Sequence, residues 1–174
     1  MGLSVGLIEP RIPPNTGNIV RLCAATGVGL HLIGKLGFLL DDDRLRRAGL
    51  DYWDQVDIWV HPDWPEFRHA ISRERCLYFS AHGVRSHFEA PYMHNSVLIF
   101  GSETRGLPAN ITNKYPAKIF RIPMKEGVRN LNLATAAGIV VYEAIRQLQL
   151  SVGCSIEMAD GQEKSENMSR ALRD

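Results

Sequence analysis

The chain has 174 residues, and its 20 lysines and arginines nearly balance its 19 aspartates and glutamates. An apolar fraction of 45% with 22% charged residues is ordinary for a globular protein and excludes a wholly disordered chain. The longest nearly apolar run, residues 133–142, is far shorter than the ~20 residues of a membrane-spanning helix, so no membrane association is expected. Three widely spaced cysteines fit neither a disulfide framework nor a CxxC metal site, and a reducing, cytoplasmic location is expected.

Short apolar runs bounded by glycine, proline or charged residues predict six buried strands. These runs are rich in branched or aromatic side chains, and they cover residues 3–8, 29–33, 56–60, 76–80, 97–101 and 118–122. Helical patterns alternate with them, which favours an α/β fold with a mainly parallel sheet flanked by helices.

Apolar residues at helical spacing predict the helices between the strands. The first covers residues 15–26, with Asn15 as a candidate N-cap and Gly27 as the C-terminal stop. Shorter helices are predicted at 43–49, at 62–72 and after Pro108. The clearest helix runs from 131 to about 150, and Asn130 or Asn132 is expected to cap it.

The segment 151–174 is polar and shows no sustained periodicity. It holds three basic and five acidic side chains, whereas residues 1–150 hold 17 basic and 14 acidic ones. We therefore expect one domain over residues 1–150, followed by a flexible polar tail over 151–174.

Polar residues and glycines follow the first predicted strand, at the end where open α/β sheets place ligands. The segment EPRIPPNTGNIVR lacks the G-x-G-x-x-G of a common Rossmann site. Asn15 is either a helix cap or a catalytic residue, and the cap is the simpler interpretation. Arg21 shares a helix face with Asn18, opposite the apolar stripe, and is a candidate phosphate or ribose ligand or else a solvated charge.

A compact basic cluster follows the second strand and contains Arg44, Arg46 and Arg47, with Tyr52 and Trp53 close by. The spacing fits a solvated helix that is partly neutralised by the three aspartates at 41–43. It fits equally well a contact with an RNA backbone beside stacking aromatic rings.

Two later segments carry further candidate ligands. In FGSETRGLP, at 100–108, glycines permit close approach of the backbone to a ligand, and Ser102 and Glu103 offer polar contacts; a plain turn is the alternative. In RIPMKEGVRNLNLA, at 121–134, Leu131 and Leu133 offer an apolar wall. The histidines lack the spacing of metal ligands, so no metal site is expected.

Taken together, these segments resemble the SPOUT class of RNA methyltransferases, and most closely its small tRNA (cytidine/uridine) 2′-O-methyltransferases of the wobble nucleotide. The resemblance rests on EPxIPxNTGNIxRLCAATG at 9–27, RLRRAGLDYW at 44–53, FGSETRGLP at 100–108 and RIPM…RNLNLA…VVYEA at 121–144. It implies an S-adenosylmethionine-dependent tRNA ribose methyltransferase. The alternatives are a relative acting on another tRNA or rRNA site, and a catalytically silent RNA-binding protein.

The resemblance also implies a deep trefoil knot in the C-terminal half, a homodimer and a set of cofactor contacts. These contacts fall on Phe79, Gly101, Glu103, Ile122, Asn130, Leu131 and Leu133. Asn130 and Ala134 stand where the family has serines, so a serine hydroxyl has no role here. Small residues at 134 and 138, followed by Tyr142, form a second stripe on the last helix that suits close packing of a partner helix.

For catalysis, the resemblance implies roles for Arg21 and for its motif neighbour Asn15. The contacts with tRNA are expected at Arg44, Arg46 and Arg47. The family suggests Arg21 as the base, but a guanidinium stays protonated in proteins. We therefore expect Arg21 to hold the adjacent phosphate and to stabilise the developing alkoxide.

Overall fold

The structure is a computed structural model that describes residues 2–39 and 50–150. Three sequence-based predictions lie outside the described residues: the helix at 43–49, the basic cluster of Arg44, Arg46 and Arg47, and the tail at 151–174. The described ranges form an α/β fold around one sheet.

The sheet has seven strands in these ranges, in the order β3-β2-β1-β6-β4-β7-β5, and every pairing is parallel. The strands are β1 Ser4–Ile8, β2 Gly29–Ile33, β3 Ile58–His61, β4 Cys76–Phe79, β5 Arg85–Ser86, β6 Val97–Phe100 and β7 Ile119–Arg121. The six predicted strands are confirmed, and their ends differ from the predicted ones by two residues at most. β5 was not predicted, because two residues are too few to show a pattern.

The first helix, α1 Pro13–Thr26, begins two residues earlier than predicted, and Asn15 is not its N-cap. Ile12 occupies the cap position without a side-chain hydrogen bond, while Pro13 and Pro14 begin the helix with a φ angle that already suits it. Gly27 ends the helix in the left-handed conformation, at φ 68°, as predicted.

The remaining α-helices of the described chain are α2 Trp64–Ala70, α3 Ala109–Thr112 and α4 Leu133–Leu148. α2 and α4 are shorter than their predicted ranges, whereas α3 begins directly after Pro108, as expected. Asp63 caps α2 by accepting a hydrogen bond from the Glu66 amide at 2.9 Å. Asn132 caps α4, so of the two predicted candidates it is Asn132 that fills this role. Short 3₁₀ helices cover Leu50–Gln55, Arg73–Arg75, His87–Glu89 and Pro116–Lys118.

Two apolar layers flank the sheet, because successive strand residues point to opposite faces. One layer packs α1 and α4 against residues such as Leu7, Phe79 and Phe100. The other packs α2 and α3 against residues such as Ile8 and Tyr78. No helix within the described ranges is long and apolar enough to cross a lipid bilayer.

Candidate active site

Four neighbouring strands bring the predicted ligand segments to one edge of the sheet. β1, β6, β4 and β7 lie side by side and run parallel, so their carboxyl ends meet. The chain leaves this edge at Glu9, Ser80, Gly101 and Ile122. The structure therefore places three of the four motifs, which are distant in sequence, next to one another.

Glu103 ties the loop after β6 to the start of α1. Its carboxylate accepts hydrogen bonds from the Arg11 amide at 2.9 Å, the Ile12 amide at 3.1 Å and Asn15 Nδ2 at 3.0 Å. A carboxylate at this position also interacts favourably with the positive end of the helix dipole. Glu103 thus fixes the backbone just before α1, and the Asn15 side chain joins this contact instead of capping the helix.

Asn15 connects Glu103 to the last helix. Its side chain is 5% exposed, and its Oδ1 accepts a hydrogen bond from Asn132 Nδ2 at 2.8 Å. Asn132 Oδ1 in turn accepts hydrogen bonds from the Ala134 and Thr135 amides at the start of α4. Because both ends of the Asn15 side chain are engaged, the observed contacts of Asn15 are those of a residue that positions α1 and α4. We call Glu103, Asn15 and Asn132 the polar bridge.

The loop after β6 folds back sharply on itself. Gly106 adopts φ 66°, its amide donates to the Ser102 carbonyl at 2.8 Å, and the Arg105 amide donates to Ser102 Oγ at 3.2 Å. A Cβ on Gly101 would overlap the backbone of Gly106 and Leu107. Glycine is therefore required at 101 so that the turn can close, whether or not a ligand approaches it.

The other predicted cofactor residues differ in what they expose. The Phe79 ring is 5% exposed and stacks on Phe100 at 5.3 Å, so Phe79 belongs to the core. Ile122 and Leu133 are half-buried against the same core. Asn130 is exposed, as is Leu131 at 39%.

The segment 123–131, between β7 and α4, is exposed throughout. Apart from the turn at Glu126 and Gly127, its backbone amides and carbonyls make no hydrogen bond within the described chain. Unpaired backbone donors and acceptors thus run beside apolar side chains, which include the exposed Val128 and Met124. A ligand with both apolar faces and polar edges would satisfy this segment.

Arg21 lies outside the polar bridge. It is exposed on α1, and its Cζ lies 5.6 Å from the centroid of the Tyr52 ring. Among the described residues, Arg21 makes neither an ion pair nor a hydrogen bond. The structure thus brings Asn15 and Glu103 together but does not connect Arg21 to them.

A groove of about 430 Å³ lies between α4 and the 3₁₀ helix His87–Glu89. Its apolar lining includes Phe88, Ile139 and Tyr142, which are 59%, 38% and 53% exposed. Glu143 borders it and accepts hydrogen bonds from Arg146 at 2.8 and 2.9 Å, which lower the pKa of Glu143 to about 2. In the described parts of the chain, no cluster of histidine, cysteine or acidic side chains is suited to hold a metal ion.

A parallel α/β sheet with polar loops at its carboxyl edge is the architecture of a ligand-binding enzyme. A sequence model of the SpoU rRNA Methylase family matches residues 2–142, and the chain belongs to this family of methyltransferases. It is 48% identical over 147 residues to the tRNA (cytidine(34)-2'-O)-methyltransferase of Escherichia coli K12. This match covers 84% of this chain and 94% of that protein.

Two solved structures show the same fold. One, described as giving structural insights into the 2-OH methylation of C/U34 on tRNA, has a TM-score of 0.80 and 47% identity, over 84% of this chain and 96% of that chain. The other is the SpoU methyltransferase AviRb from Streptomyces viridochromogenes, in complex with AdoMet. It has a TM-score of 0.75 and 26% identity, over 85% of this chain and 61% of that chain.

Proposed function

We propose that this protein is an S-adenosylmethionine-dependent tRNA 2′-O-methyltransferase that modifies the ribose of the wobble nucleotide, cytidine or uridine 34. The observation that carries the proposal is the similarity to an enzyme named for this reaction, which extends over nearly the full length of that enzyme. The family description favours rRNA as a second candidate substrate. The length of the match to the tRNA enzyme supports the first candidate over the second.

The segment 123–131 and its neighbours fit S-adenosylmethionine. The cofactor has an adenine ring with apolar faces and polar edges, and a methionine part that carries charged groups. Ile122, Leu131 and Leu133 would contact the adenine faces, while free backbone groups of 123–131 would bind its polar edges. Asn130 offers a side-chain amide where the family has a serine, and Gly101 shapes the turn that follows β6.

The proposal includes a deep trefoil knot in the C-terminal half. Its support is the position of β7, which lies in the sheet between β4 and β5, two strands that precede it in the chain. The chain before β7 has already crossed β4 to form β6. A late strand inserted between earlier ones is the arrangement that threading of the chain would produce.

In the proposed mechanism the protein aligns two reactants. The bound cofactor supplies an activated methyl group on a sulfonium. Arg21 keeps its proton, holds the phosphate next to nucleotide 34 and stabilises the negative charge that develops on the ribose 2′-oxygen. The 2′-hydroxyl proton leaves to that phosphate or to water. The polar bridge holds α1, and therefore Arg21, in a fixed position relative to α4, the helix that we propose packs against the partner subunit.

A homodimer is part of the proposal. The outer face of α4 exposes Ile139 and Tyr142, and a Cβ on Gly138 would meet no atom within 4 Å. Small and aromatic residues on one face allow a second helix to pack closely, and a second copy of this chain is the occupant we propose. Such a dimer would explain why Arg21 is exposed on its own subunit, since it would act at the cofactor of the partner.

Mixing two inactive variants tests the shared active site. Arg21→Ala removes the proposed catalytic cation, and Gly101→Val disrupts the proposed cofactor loop. If each site uses both subunits, a heterodimer regains one intact site, so the mixture should recover activity that neither variant has. No recovery in a mixture shown to exchange subunits, or a fully active monomer in sedimentation, contradicts this part of the proposal.

We propose that the remaining tRNA contacts are made by Arg44, Arg46 and Arg47, in the cytoplasm where tRNA is used. Neutralising one phosphate contact lowers the salt dependence of binding by about one unit. Arg46→Ala and Arg47→Ala should therefore weaken tRNA binding and flatten its salt dependence. If a substitution changes neither the affinity for tRNA nor its salt dependence, that arginine does not contact tRNA.

The main experiment is transfer of labelled methyl from S-adenosylmethionine to total tRNA, followed by mapping of the labelled nucleotide. The proposal expects the label on the ribose of nucleotide 34. Arg21→Ala should lower kcat at saturating tRNA by a factor of about 10²–10³, the usual effect of removing a charge-stabilising donor. The affinity for the cofactor should stay unchanged. Full turnover of Arg21→Ala at saturation would reduce Arg21 to a binding residue.

A further inference from the structure

Among residues 2–39 and 50–150, the contact with Tyr52 is the one interaction made by the side chain of Arg21, the proposed catalytic cation. Arg21 Cζ lies 5.6 Å from the ring centroid of Tyr52, within the range of a cation–π interaction. Arg21 forms no other polar contact within the described residues. An exposed arginine without such a contact samples many rotamers.

Tyr52 is well placed to hold this guanidinium. It lies in the 3₁₀ helix Leu50–Gln55, is half-buried and packs against the apolar layer that contains α1 and α4. Its hydroxyl has no hydrogen-bond partner in the described part of the chain. The face of its ring is therefore what Tyr52 offers to Arg21.

A cation–π contact holds the charge of the guanidinium over the ring without using its five N–H donors in hydrogen bonds. A carboxylate partner would instead occupy those donors and offset the charge. The ring contact is thus suited to a cation that must later bind a phosphate and a developing alkoxide.

We propose that Tyr52 is a positioning residue for Arg21, which orders the guanidinium before the RNA arrives while its donors stay available. The inference rests on the proposed function, because it assigns Tyr52 a role in the same reaction. The rival role for Tyr52 is to stack directly on an RNA base, which would act on tRNA binding and would not depend on Arg21.

The kinetic test compares Tyr52→Leu with Tyr52→Phe at saturating tRNA. We expect Tyr52→Leu to lower kcat about two- to fivefold, the effect that an exposed cation–π contact supports, with an unchanged KM for tRNA. Tyr52→Phe keeps the ring and should restore kcat. Tyr115→Leu is the matched control for loss of a half-buried tyrosine. Tyr115 also has a cation near its ring, with Lys114 Nζ 5.8 Å from the ring centroid, but it packs in the other apolar layer, away from Arg21.

The double variant Arg21→Ala/Tyr52→Leu separates the two roles. If Tyr52 acts through Arg21, replacing Tyr52 has no further effect on the residual rate of Arg21→Ala. An equal loss in both backgrounds, or a change confined to KM for tRNA, overturns the inference in favour of RNA stacking.

A second measurement needs no substrate. The side-chain NMR signal of Arg21, identified by its loss in Arg21→Ala, should carry a ring-current shift in the wild type and in Tyr52→Phe that disappears in Tyr52→Leu. An unchanged signal in Tyr52→Leu overturns the contact. A wild-type protein that transfers no methyl to tRNA would overturn the proposed function and this role together, whereas normal transfer by Tyr52→Leu overturns the role of Tyr52 alone.

Discussion

Replacement of Glu103 should destabilise the fold at a point remote from the core. The carboxylate accepts three hydrogen bonds from the segment that begins α1, and each bond is lost in Glu103→Ala. Glu103→Gln has one oxygen acceptor, so its amide group must face at least one of the three donors. Because α1 carries Arg21, methyl transfer should fall in both variants as well.

The magnitude follows from the exposure of these bonds. A hydrogen bond to a charged acceptor contributes about 1.5–3 kcal/mol, but water replaces an exposed one at lower cost. The bonds to Arg11 and Ile12 are exposed, and the bond to Asn15 is partly buried. We therefore expect the free energy of unfolding to fall by about 2–4 kcal/mol in Glu103→Ala and by about half of that in Glu103→Gln.

Urea unfolding monitored by fluorescence measures this difference, with the midpoint and slope compared between variants. Asp54→Ala is the control, since it also removes one exposed carboxylate but has no partner within the described residues. If Glu103→Ala and Asp54→Ala agree within about 0.5 kcal/mol, the usual range for surface substitutions, the polar bridge does not stabilise the fold.

Three further changes test other parts of the site and core. Gly101→Val should abolish cofactor binding in calorimetry because its side chain would overlap the Gly106 backbone. Gly2→Ala should not, since its Cβ would meet only the His94 carbonyl oxygen at 3.9 Å; unchanged affinity in Gly101→Val would show that this loop is not part of the cofactor site. Asn132→Ala should lower the free energy of unfolding by about 1–2 kcal/mol through loss of the α4 cap. Asn132→Ser, which like alanine lacks the amide donor to Asn15 but keeps a capping oxygen, should lose less; equal losses would argue against capping. Burial, with the nearby charge of His61, lowers the pKa of His31 to about 4. The unfolded chain therefore binds the His31 proton more tightly than the folded one. The free energy of unfolding should be highest above about pH 6.5 and should fall by about 2 kcal/mol between about pH 7 and pH 5. His31→Gln should reduce this fall, and an equal fall in the variant would contradict the prediction.

The strands were predictable because their apolar runs are local signals. Residues 29–33 form the predicted strand without any displacement, and Gly27 ends α1 as its position indicates. β5 could not be predicted, since its two residues are ordered by pairing with β7, which comes 33 residues later in the chain.

The site was predictable in its segments but not in its contacts. The motifs indicated which strand ends carry polar residues, but the local pattern around Asn15 favoured a helix cap. The partners of Asn15 are 88 and 117 residues away, at Glu103 and Asn132, and no local pattern identifies them. The same holds for Arg21, whose contact with Tyr52 joins two elements that the sequence separates by a strand.

The most direct test of the proposed reaction uses two tRNA substrates that differ by one atom. One carries the ordinary ribose at nucleotide 34, and the other carries 2′-deoxyribose there and is otherwise identical. The account predicts methyl transfer to the first and none to the second, with the methyl group located on the 2′-oxygen by mass spectrometry. Equal transfer to both substrates, or a methyl group on a base or on another nucleotide, would contradict it.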